Sequence, residues 1–318
     1  MQVFRQLSAI PQDFGPSIVS VGNFDGIHRA HRDMLEQIVS RARKQSAKSV
    51  AVTFDPHPSR CLGPSSPLKL LTPPPEKLRL FALTGLDAAL ILPFDEAMRM
   101  TPAREFAQMI LRNALRASEV HEGSNFRFGN NGAGDVRALT EFGQDFGFQV
   151  FSYPEMRLQG LPVSSSAIRR LLQEGETHGA RRLLGRPFSI LSSPSPGRGY
   201  GTKYTVPTVN LAHYDELIPQ NGVYVTQTRI GTDCFDSVTN IGNRPTFGTD
   251  SFAIETHLLN FHPIDLAADT EVEVFFLRRL RPEIKFSSPE ALREQIGQDA
   301  RKASRYLRLA ERMRGKQS

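Results

Sequence analysis

The chain has 318 residues, a formal net charge of +6, and 39% hydrophobic and 23% charged residues. That length favours two domains, and the composition excludes a disordered or fibrous chain. Because Cys61 and Cys234 are too few and too far apart for a disulfide framework, and no stretch approaches the roughly 20 apolar residues that cross a bilayer, we expect a cytoplasmic protein without a membrane segment.

The first half of the sequence alternates short apolar runs with segments of helical periodicity. The predicted strands are residues 17–21, 49–54, 88–92 and 148–152. Residues 31–42 carry their apolar side chains on one stripe, which predicts a helix. Thr101 and Pro102 are predicted to be the N-cap and first residue of another helix. This alternation indicates a doubly wound parallel sheet with crossover helices.

The second half is β-rich, with turn residues rather than helices between its strands. The predicted strands there are residues 222–230, 233–241, 252–261 and 270–277. They indicate an antiparallel barrel or sandwich, followed by a long helix from residue 289 to about residue 312. We place the domain boundary near residue 186, which gives domains of residues 1–186 and 187–318.

The positive charge is concentrated at the C-terminal end. Residues 293–318 contain eight Lys or Arg and three Asp or Glu, so most of the net charge lies on one predicted helix. A solvated helix face is the favoured interpretation of this segment. An RNA-binding strip remains the alternative.

A polar segment, residues 22–31, follows the first predicted strand and leads into the first predicted helix. In an open α/β sheet, ligands bind at such a position. Gly22 and Gly26 allow backbone to approach a ligand, and the free N–H groups of a helix N-terminus suit phosphate oxygens. His28 and His31 are three residues apart, so both imidazoles can face one phosphate chain. Two ordinary surface histidines are the alternative interpretation.

Four segments carry a family resemblance. G-N-F-D-G-I-H-x-x-H at residues 22–31 resembles the nucleotidyltransferase signature. T-F-D-P-H-P, N-F-R-F-G and S-S-S-A-I-R follow from residues 53, 125 and 164, in the order seen in bacterial bifunctional riboflavin kinase/FAD synthetases. Ala30, Ser124 and Ser166 stand where that family commonly has a glycine, an acidic residue and a threonine.

The resemblance implies roles for residues of the first half. His28 and His31 would be catalytic in adenylyl transfer, and Ser164, Ser165 and Arg169 would close on ATP from a second helix N-terminus. The implied ATP-binding residues are Gly22, Asn23, Phe24, Asp25, Ser164, Ser165 and Arg169. The implied flavin-binding residues are Pro56, Pro58 and Asn125.

Two segments of the second half extend the resemblance. P-T-V-N at residues 207–210 resembles the P-T-x-N of riboflavin kinases, which implies that Thr208 and Asn210 hold Mg²⁺, a cation that prefers oxygen ligands. E-T-H at residues 255–257 resembles that family's E-[ST]-H, which implies that Glu255 is the catalytic base. From the pattern alone, Glu255 could equally lie on a solvated sheet edge.

The kinase resemblance also implies binding residues. The glycine-rich loop at residues 196–203 lacks the G-K-[ST] ending of a Walker A motif. The implied ATP-binding residues are Gly197, Arg198, Gly199, Gly201, Asn243 and Arg244. The implied flavin-binding residues are Arg281 and Glu283.

Taken together, the resemblance implies a Rossmann-like nucleotidyltransferase domain followed by a β-barrel riboflavin kinase domain with a terminal helix. The second domain would phosphorylate riboflavin to FMN, and the first would adenylylate FMN to FAD. ATP would be the co-substrate and Mg²⁺ the cofactor of both reactions. We expect small-molecule partners and no nucleic acid, and the sequence leaves a weak homo-oligomer open.

Two alternatives belong to other functional classes. Histidine and carboxylate side chains are common ligands of transition metals, so the first half could form a metal-dependent hydrolase. The candidate ligands are Asp25, His28, His31, Asp55 and His57. An RNA-binding protein that uses the basic C-terminal helix is the second alternative.

Overall fold

The structure is a computed structural model that describes residues 1–62, 68–195, 208–244, 251–262 and 267–314. The chain forms two compact units, Met1–Ser165 and Ser166–Ser318. No helix within the described ranges is both long and apolar enough to cross a membrane. The domain boundary expected near residue 186 lies further along the chain than the division between these units and stays a prediction.

The first unit contains short strands and crossover helices. Its strands are β1 Gln2–Phe4, β2 Ser17–Val21, β3 Lys48–Phe54, β4 Ala88–Leu92, β5 Ala117–Gly123, β6 Arg127–Phe128, β7 Gly134–Asp135, β8 Gln149–Tyr153, β9 Arg157–Leu158 and β10 Leu161–Pro162. Its helices are α1 Arg29–Gln45, α2 Pro58–Leu62, α3 Pro74–Leu83, α4 Glu96–Met100, α5 Ala103–Phe106 and α6 Val136–Phe146. Helix α5 continues as a π-helical segment, Ala107–Ala114.

Six strands of the first unit form one parallel sheet in the order β1-β4-β3-β2-β5-β8. This confirms the predicted doubly wound sheet, and all four predicted strands are present. The strand order reverses between β2 and β5, where doubly wound folds bind their ligands at the carboxyl ends of the strands. Strand β5 was not among the predicted strands.

Apolar side chains fill both faces of the parallel sheet. On one face, the predicted apolar stripe of α1, including Leu35, Ile38 and Val39, packs with Ile18 of β2. Burying each such side chain contributes about 1.5–3 kcal/mol. The helix begins two residues before the predicted start, because His28 serves as its N-cap.

The prediction for Thr101 and Pro102 is wrong by one position. Thr101 is the C-cap of α4, and Pro102 is the N-cap of α5. The physical reason is that a separate helix, α4, begins before this position. The Asp95 carboxylate accepts the backbone N–H of Met98 at 2.8 Å and caps α4, so Thr101 ends that helix instead of opening the next one.

The second unit contains most of a helix that begins at Ser165, the last residue of the first unit. It also contains a short helix, a β-sheet and a terminal helix. Its helices are α7 Ser165–Gln173, α8 Thr177–Leu184 and α9 Pro289–Arg314. Its strands are β11 Phe188–Ser192, β12 Pro194–Ser195, β13 Thr208–Leu211, β14 Gly222–Ile230, β15 Asp233–Arg244, β16 Ser251–Leu258 and β17 Val272–Arg281. The four predicted strands and the final helix are confirmed.

These strands form an antiparallel sheet in the order β11-β17-β14-β15-β16-β13-β12. The two ends of this order, β11 and β12, are separated only by Ser193, so one bent segment pairs with both β17 and β13 and closes the sheet as a barrel. Helix α9 packs on the barrel through Ala303 and Leu307, which are buried with Val223 and Val225.

Candidate active sites

The carboxyl ends of β2 and β5 form the floor of the first candidate site. The ladder between these strands ends at Val19 and Val120, and beyond it the Glu122 carboxyl group accepts the backbone N–H of Val21 at 2.6 Å. Glu122 is only 2% exposed, and burial raises its pKa well above the usual value. The raised pKa favours the neutral form of the carboxyl group at the point where the two strands separate.

The segment after β2, residues 22–28, is a tightly turned loop, called the first loop below. Phe24 and Ile27 have positive φ angles of 47° and 36°. The buried Asp25 carboxylate accepts the backbone N–H groups of Leu71 and Thr72, each at 3.0 Å. These bonds place Asp25 beneath the loop, where it fixes the loop against residues 71–72.

The structure brings His28 and His31 together. Their rings stack with centroids 3.6 Å apart and planes at 16°. His28 Nδ1 accepts the backbone N–H of His31 at 3.3 Å, which assigns the proton of a neutral His28 ring to Nε2. Burial lowers the pKa of His31 well below its usual value, and the neighbouring His28 and Lys77 lower it further.

Other first-loop residues support this pair. The Phe24 ring is 1% exposed and meets the rings of His31 and Phe81 edge-on, at 5.2 and 5.3 Å. A Cβ at Gly22 would lie 3.3 Å from the Phe24 ring, so a glycine allows this close approach. Asn23 is exposed on the same loop.

Lys77 is a residue of this site that the sequence did not indicate. It lies in the first turn of α3 and is 5% exposed. Its Nζ donates to the Asn23 carbonyl oxygen at 2.7 Å and approaches Thr53 Oγ1 at 3.4 Å. A lysine in P-P-E-K-L-R-L is indistinguishable in sequence from one on a solvated helix face, so only the fold identifies it.

The predicted second helix N-terminus meets the first loop through Ser165. The Ser165 hydroxyl, at the start of α7, donates to the Asp25 carbonyl oxygen at 2.8 Å. Ser164 directly precedes α7 and is half-buried. Arg169 follows one turn after Ser165, and residues at this spacing share a helix face.

The predicted flavin-binding residues follow strands β3 and β5, which lie on either side of β2 in the sheet. Pro56 and Pro58 come after β3, and Asn125 is exposed in the turn after β5. Because β2, β3 and β5 are parallel, their carboxyl ends lie at one edge of the sheet, the edge that carries the first loop.

The metal-hydrolase alternative is not supported. Within the described residues, no group of three or more His, Cys, Asp or Glu side chains is placed to hold a metal ion. Two of the candidate ligands have structural partners, since Asp25 accepts backbone N–H groups and His57 Nδ1 accepts the backbone N–H of Ser59 at 3.1 Å.

The second candidate site lies on one face of the barrel strands β13, β15 and β16. Glu255 is paired with Asn210 on one neighbouring strand and with Asn240 on the other, so the three side chains share a face. Thr208 and His257 form the next pair on that face, and Thr208 Oγ1 lies 2.8 Å from His257 Nδ1. Sequence analysis did not identify Asn240, whose strand register provides the only signal.

Burial lowers the pKa of His257, although the nearby Glu255 acts in the opposite direction. When the proton of a neutral His257 ring is on Nε2, its Nδ1 accepts the hydrogen bond of the Thr208 hydroxyl. The lone pairs of Thr208 Oγ1 are then available to another partner.

The two predicted flavin residues of the second unit have different surroundings. Arg281 forms an ion pair with the buried Asp299 of α9, with Nε 2.9 Å from Oδ2. Glu283 is exposed and lies against the Gly242 backbone, where a Cβ would come within 2.0 Å of its Oε1. Arg281 therefore connects the barrel to the terminal helix.

Several predicted ATP-binding residues of the second unit lie outside the described residues. They are Gly197, Arg198, Gly199 and Gly201, together with the side chains of Asn243 and Arg244.

Two family models match consecutive parts of the chain. FAD synthetase matches residues 10–167, and riboflavin kinase matches residues 184–307. A bifunctional riboflavin kinase/FMN adenylyltransferase of Pseudomonas fluorescens is 34% identical over 94% of this chain and 96% of its own length. The protein of that name from Escherichia coli strain K12 is 31% identical over 96% of each chain.

One solved structure resembles both units. The crystal structure titled a macrolide-efflux protein from Streptococcus pneumoniae has a TM-score of 0.84 and 26% identity, and the match covers 93% of this chain and 96% of that one. The architecture of two successive units is therefore shared over nearly the whole length of both proteins.

Proposed function

This chain belongs to the family of bifunctional riboflavin kinase/FMN adenylyltransferases, and from that premise we propose which of its side chains carry the two reactions. Its C-terminal half phosphorylates riboflavin to FMN with ATP. Its N-terminal half transfers the adenylyl group of ATP to FMN, giving FAD and pyrophosphate. The hydrolase and RNA-binding alternatives have no support from these relatives.

In adenylyl transfer, a phosphate oxygen of FMN attacks the α-phosphorus of ATP while the bond to pyrophosphate breaks. No protein nucleophile is needed, so positioning and charge stabilisation carry the catalysis. The stacked His28 and His31 at the N-terminus of α1 are the observation that supports this assignment. Their ring N–H groups and the positive end of the helix dipole are suited to the phosphate oxygens.

The proposed phosphate site includes the first loop and Ser165. The Ser165 hydroxyl donates to the Asp25 carbonyl oxygen of that loop, which supports this grouping. The proposed ATP-binding residues remain Gly22, Asn23, Phe24, Asp25, Ser164, Ser165 and Arg169. The proposed flavin-binding residues are Pro56, Pro58 and Asn125.

In the kinase reaction, we assign Glu255 as the base that accepts the proton of the riboflavin 5′-hydroxyl as the γ-phosphoryl group is transferred. The flanking amides of Asn210 and Asn240 support this role, because they can orient the carboxylate or the substrate. The ATP-binding role of the loop at residues 196–203 stays a prediction. So do the flavin-binding roles of Arg281 and Glu283.

The donor set of the barrel site fits Mg²⁺. Thr208 and Asn210 provide hydroxyl and amide oxygens on one face, and Thr208 Oγ1 lies 2.8 Å from His257 Nδ1 on the same face. We assign these two residues to hold the cation. When bound, Mg²⁺ would neutralise charge on the nucleotide's phosphates.

The remaining expectations are also proposals. A boundary near residue 186 is supported by the riboflavin kinase match, which begins at residue 184. A cytoplasmic location is consistent with the free thiols of Cys61 and Cys234. We propose ATP, riboflavin and FMN as the partners, without nucleic acid or membrane, and leave a weak homo-oligomer open.

The direct test supplies riboflavin, ATP and Mg²⁺ to the purified protein and separates the flavins by chromatography. FMN should form first and FAD should follow it. Absence of both products would reject the proposed function, and omission of Mg²⁺ tests the cofactor separately.

A further inference from the structure

We propose that Lys77 is a positioning residue for adenylyl transfer, which supplies a fixed positive charge beneath the first loop for the nucleotide's phosphates. The inference rests on the adenylyl transfer described above and adds a residue to it. Lys77 would act through the first loop and through His31 rather than by touching the reacting atoms.

The geometry ties Lys77 to the loop that carries the histidine pair. Its ammonium donates to the carbonyl oxygen of Asn23 at 2.7 Å, and the Thr53 hydroxyl donates to the same oxygen at 3.3 Å. These two donors fix the orientation of the Asn23 peptide unit. The loop backbone is thereby held in its strained turn, where Phe24 has a φ of 47°.

The charge of Lys77 is not balanced by an ion pair. Its two hydrogen-bond acceptors are neutral, and no carboxylate lies within 4.0 Å of its Nζ in the described part of the chain. Burial lowers the pKa of Lys77, while the nearby Asp25 and Asp55 act in the opposite direction and favour its charged form. Asp25 is bonded to backbone N–H groups, however, and Asp55 is exposed. Buried charges are normally paired, and a triphosphate at this edge of the sheet would supply the counter-charge.

Lys77 also affects the neighbouring histidines. The charge of Lys77 and the neighbouring His28 both oppose protonation of His31, which is already disfavoured by burial. The lowered pKa of His31 favours its neutral imidazole, which can donate a directed hydrogen bond, while Lys77 supplies the positive charge.

The experiment uses the full chain and compares Lys77→Met, which keeps the length and removes the charge, with Lys77→Arg, which keeps the charge. Lys44→Met is the matched control, since Lys44 is an exposed residue near the end of α1. For each variant, the KM for ATP and the pH profile of kcat/KM are measured for FAD formation from FMN. Riboflavin phosphorylation serves as an internal control for intact protein.

We expect Lys77→Met to raise the KM for ATP on the order of tenfold. The acid limb of its pH profile should move to higher pH, because His31 takes up a proton more readily without the lysine charge. Lys77→Arg should retain most of the activity, and the acid limb of its pH profile should stay at the wild-type position. Lys44→Met should match the wild type. Phosphorylation of riboflavin should be unchanged in all three.

A folded Lys77→Met protein with an unchanged KM or an unchanged acid limb would overturn the proposal. If Lys77→Met and Lys77→Arg lost activity equally and the acid limb of the pH profile did not move, Lys77 would have only a structural role. That result would also overturn the proposal. If Lys77→Met does not fold, NMR of the wild-type histidine rings decides, because a His31 pKa at or above the usual value contradicts the inference. Failure of the wild type to form FAD would instead reject the reaction itself.

Discussion

The carboxyl group of Glu122 accepts the backbone N–H of Val21 at the point where β2 and β5 stop pairing. The side chain thereby replaces the ladder bond that the separating strands no longer make. It is an acid with a raised pKa at the floor of the first candidate site.

Glu122→Gln should stabilise the first unit at alkaline pH. The pKa of Glu122 is raised on folding, so the folded state binds more protons than the unfolded state above the ordinary carboxyl pKa, and stability falls as pH rises from there towards the folded pKa. Glutamine keeps an acceptor for Val21 and has no charge to bury. Urea midpoints for loss of FAD formation should therefore decline less with pH in the variant, and an identical pH dependence of both proteins would contradict this expectation.

Arg41→Met tests a second polar contact of β5. Arg41 binds the Glu119 carboxylate through two nitrogens, at 2.5 and 2.6 Å, and this contact is the main reason that the Glu119 pKa is about 2. Because Arg41 is partly exposed, we expect the variant to lose only about 1–3 kcal/mol of unfolding free energy at neutral pH.

The pH dependence of that loss follows from the lowered pKa. The contribution of Glu119 is fully present above the ordinary carboxyl pKa and is lost as pH falls towards 2, so Arg41→Met and wild type should converge in acid. Arg137→Met is the control, since its pair with Glu141 on α6 is exposed and worth about 0.3–0.5 kcal/mol. A deficit that stays constant down to the lowest pH would be inconsistent with the ion pair.

The same contacts explain which parts of the fold the sequence could predict. Strands β2 and β4 are uninterrupted runs of small and apolar residues, and their predicted bounds were correct. Strand β5 has the sequence A-S-E-V-H-E-G, and its polar residues do not form the apolar run by which a buried strand is predicted. Glu119 is satisfied by Arg41, and His121 Nδ1 lies 2.7 Å from the Tyr153 hydroxyl. Such long-range partners have no local pattern in a single sequence.

The candidate sites were predictable to a similar extent. The resemblance implies roles for His28, His31 and Glu255 because they lie in short, contiguous motifs. Lys77 and Asn240 reach the sites through helix packing and strand register, over separations that no motif spans. The histidine pair was expected on one helix face, whereas the structure makes His28 the N-cap and stacks the two rings.

His28→Ala combined with His31→Ala should reduce FAD formation by about two to three orders of magnitude while FMN formation continues. The two rings act together at the start of α1, so the effects of the two single variants should not sum to the effect of the double variant. Chromatographic rates with FMN and then riboflavin as the starting flavin separate the two reactions. Normal FAD synthesis by the double variant would show that this site is wrongly assigned.

Glu255→Gln should have the opposite effect, because glutamine preserves the shape and hydrogen-bonding atoms of the side chain but cannot accept the proton of the riboflavin hydroxyl. We expect FMN formation to fall by about 10²–10⁴-fold in kcat, with FAD formation from supplied FMN unchanged. Glu271→Gln is the matched control, since Glu271 is exposed just before β17 and should tolerate the same change without effect on either reaction. If Glu255→Gln altered only the KM for a substrate and left kcat intact, the side chain would bind rather than accept the proton, and the base would have to be sought elsewhere on the same face of the barrel.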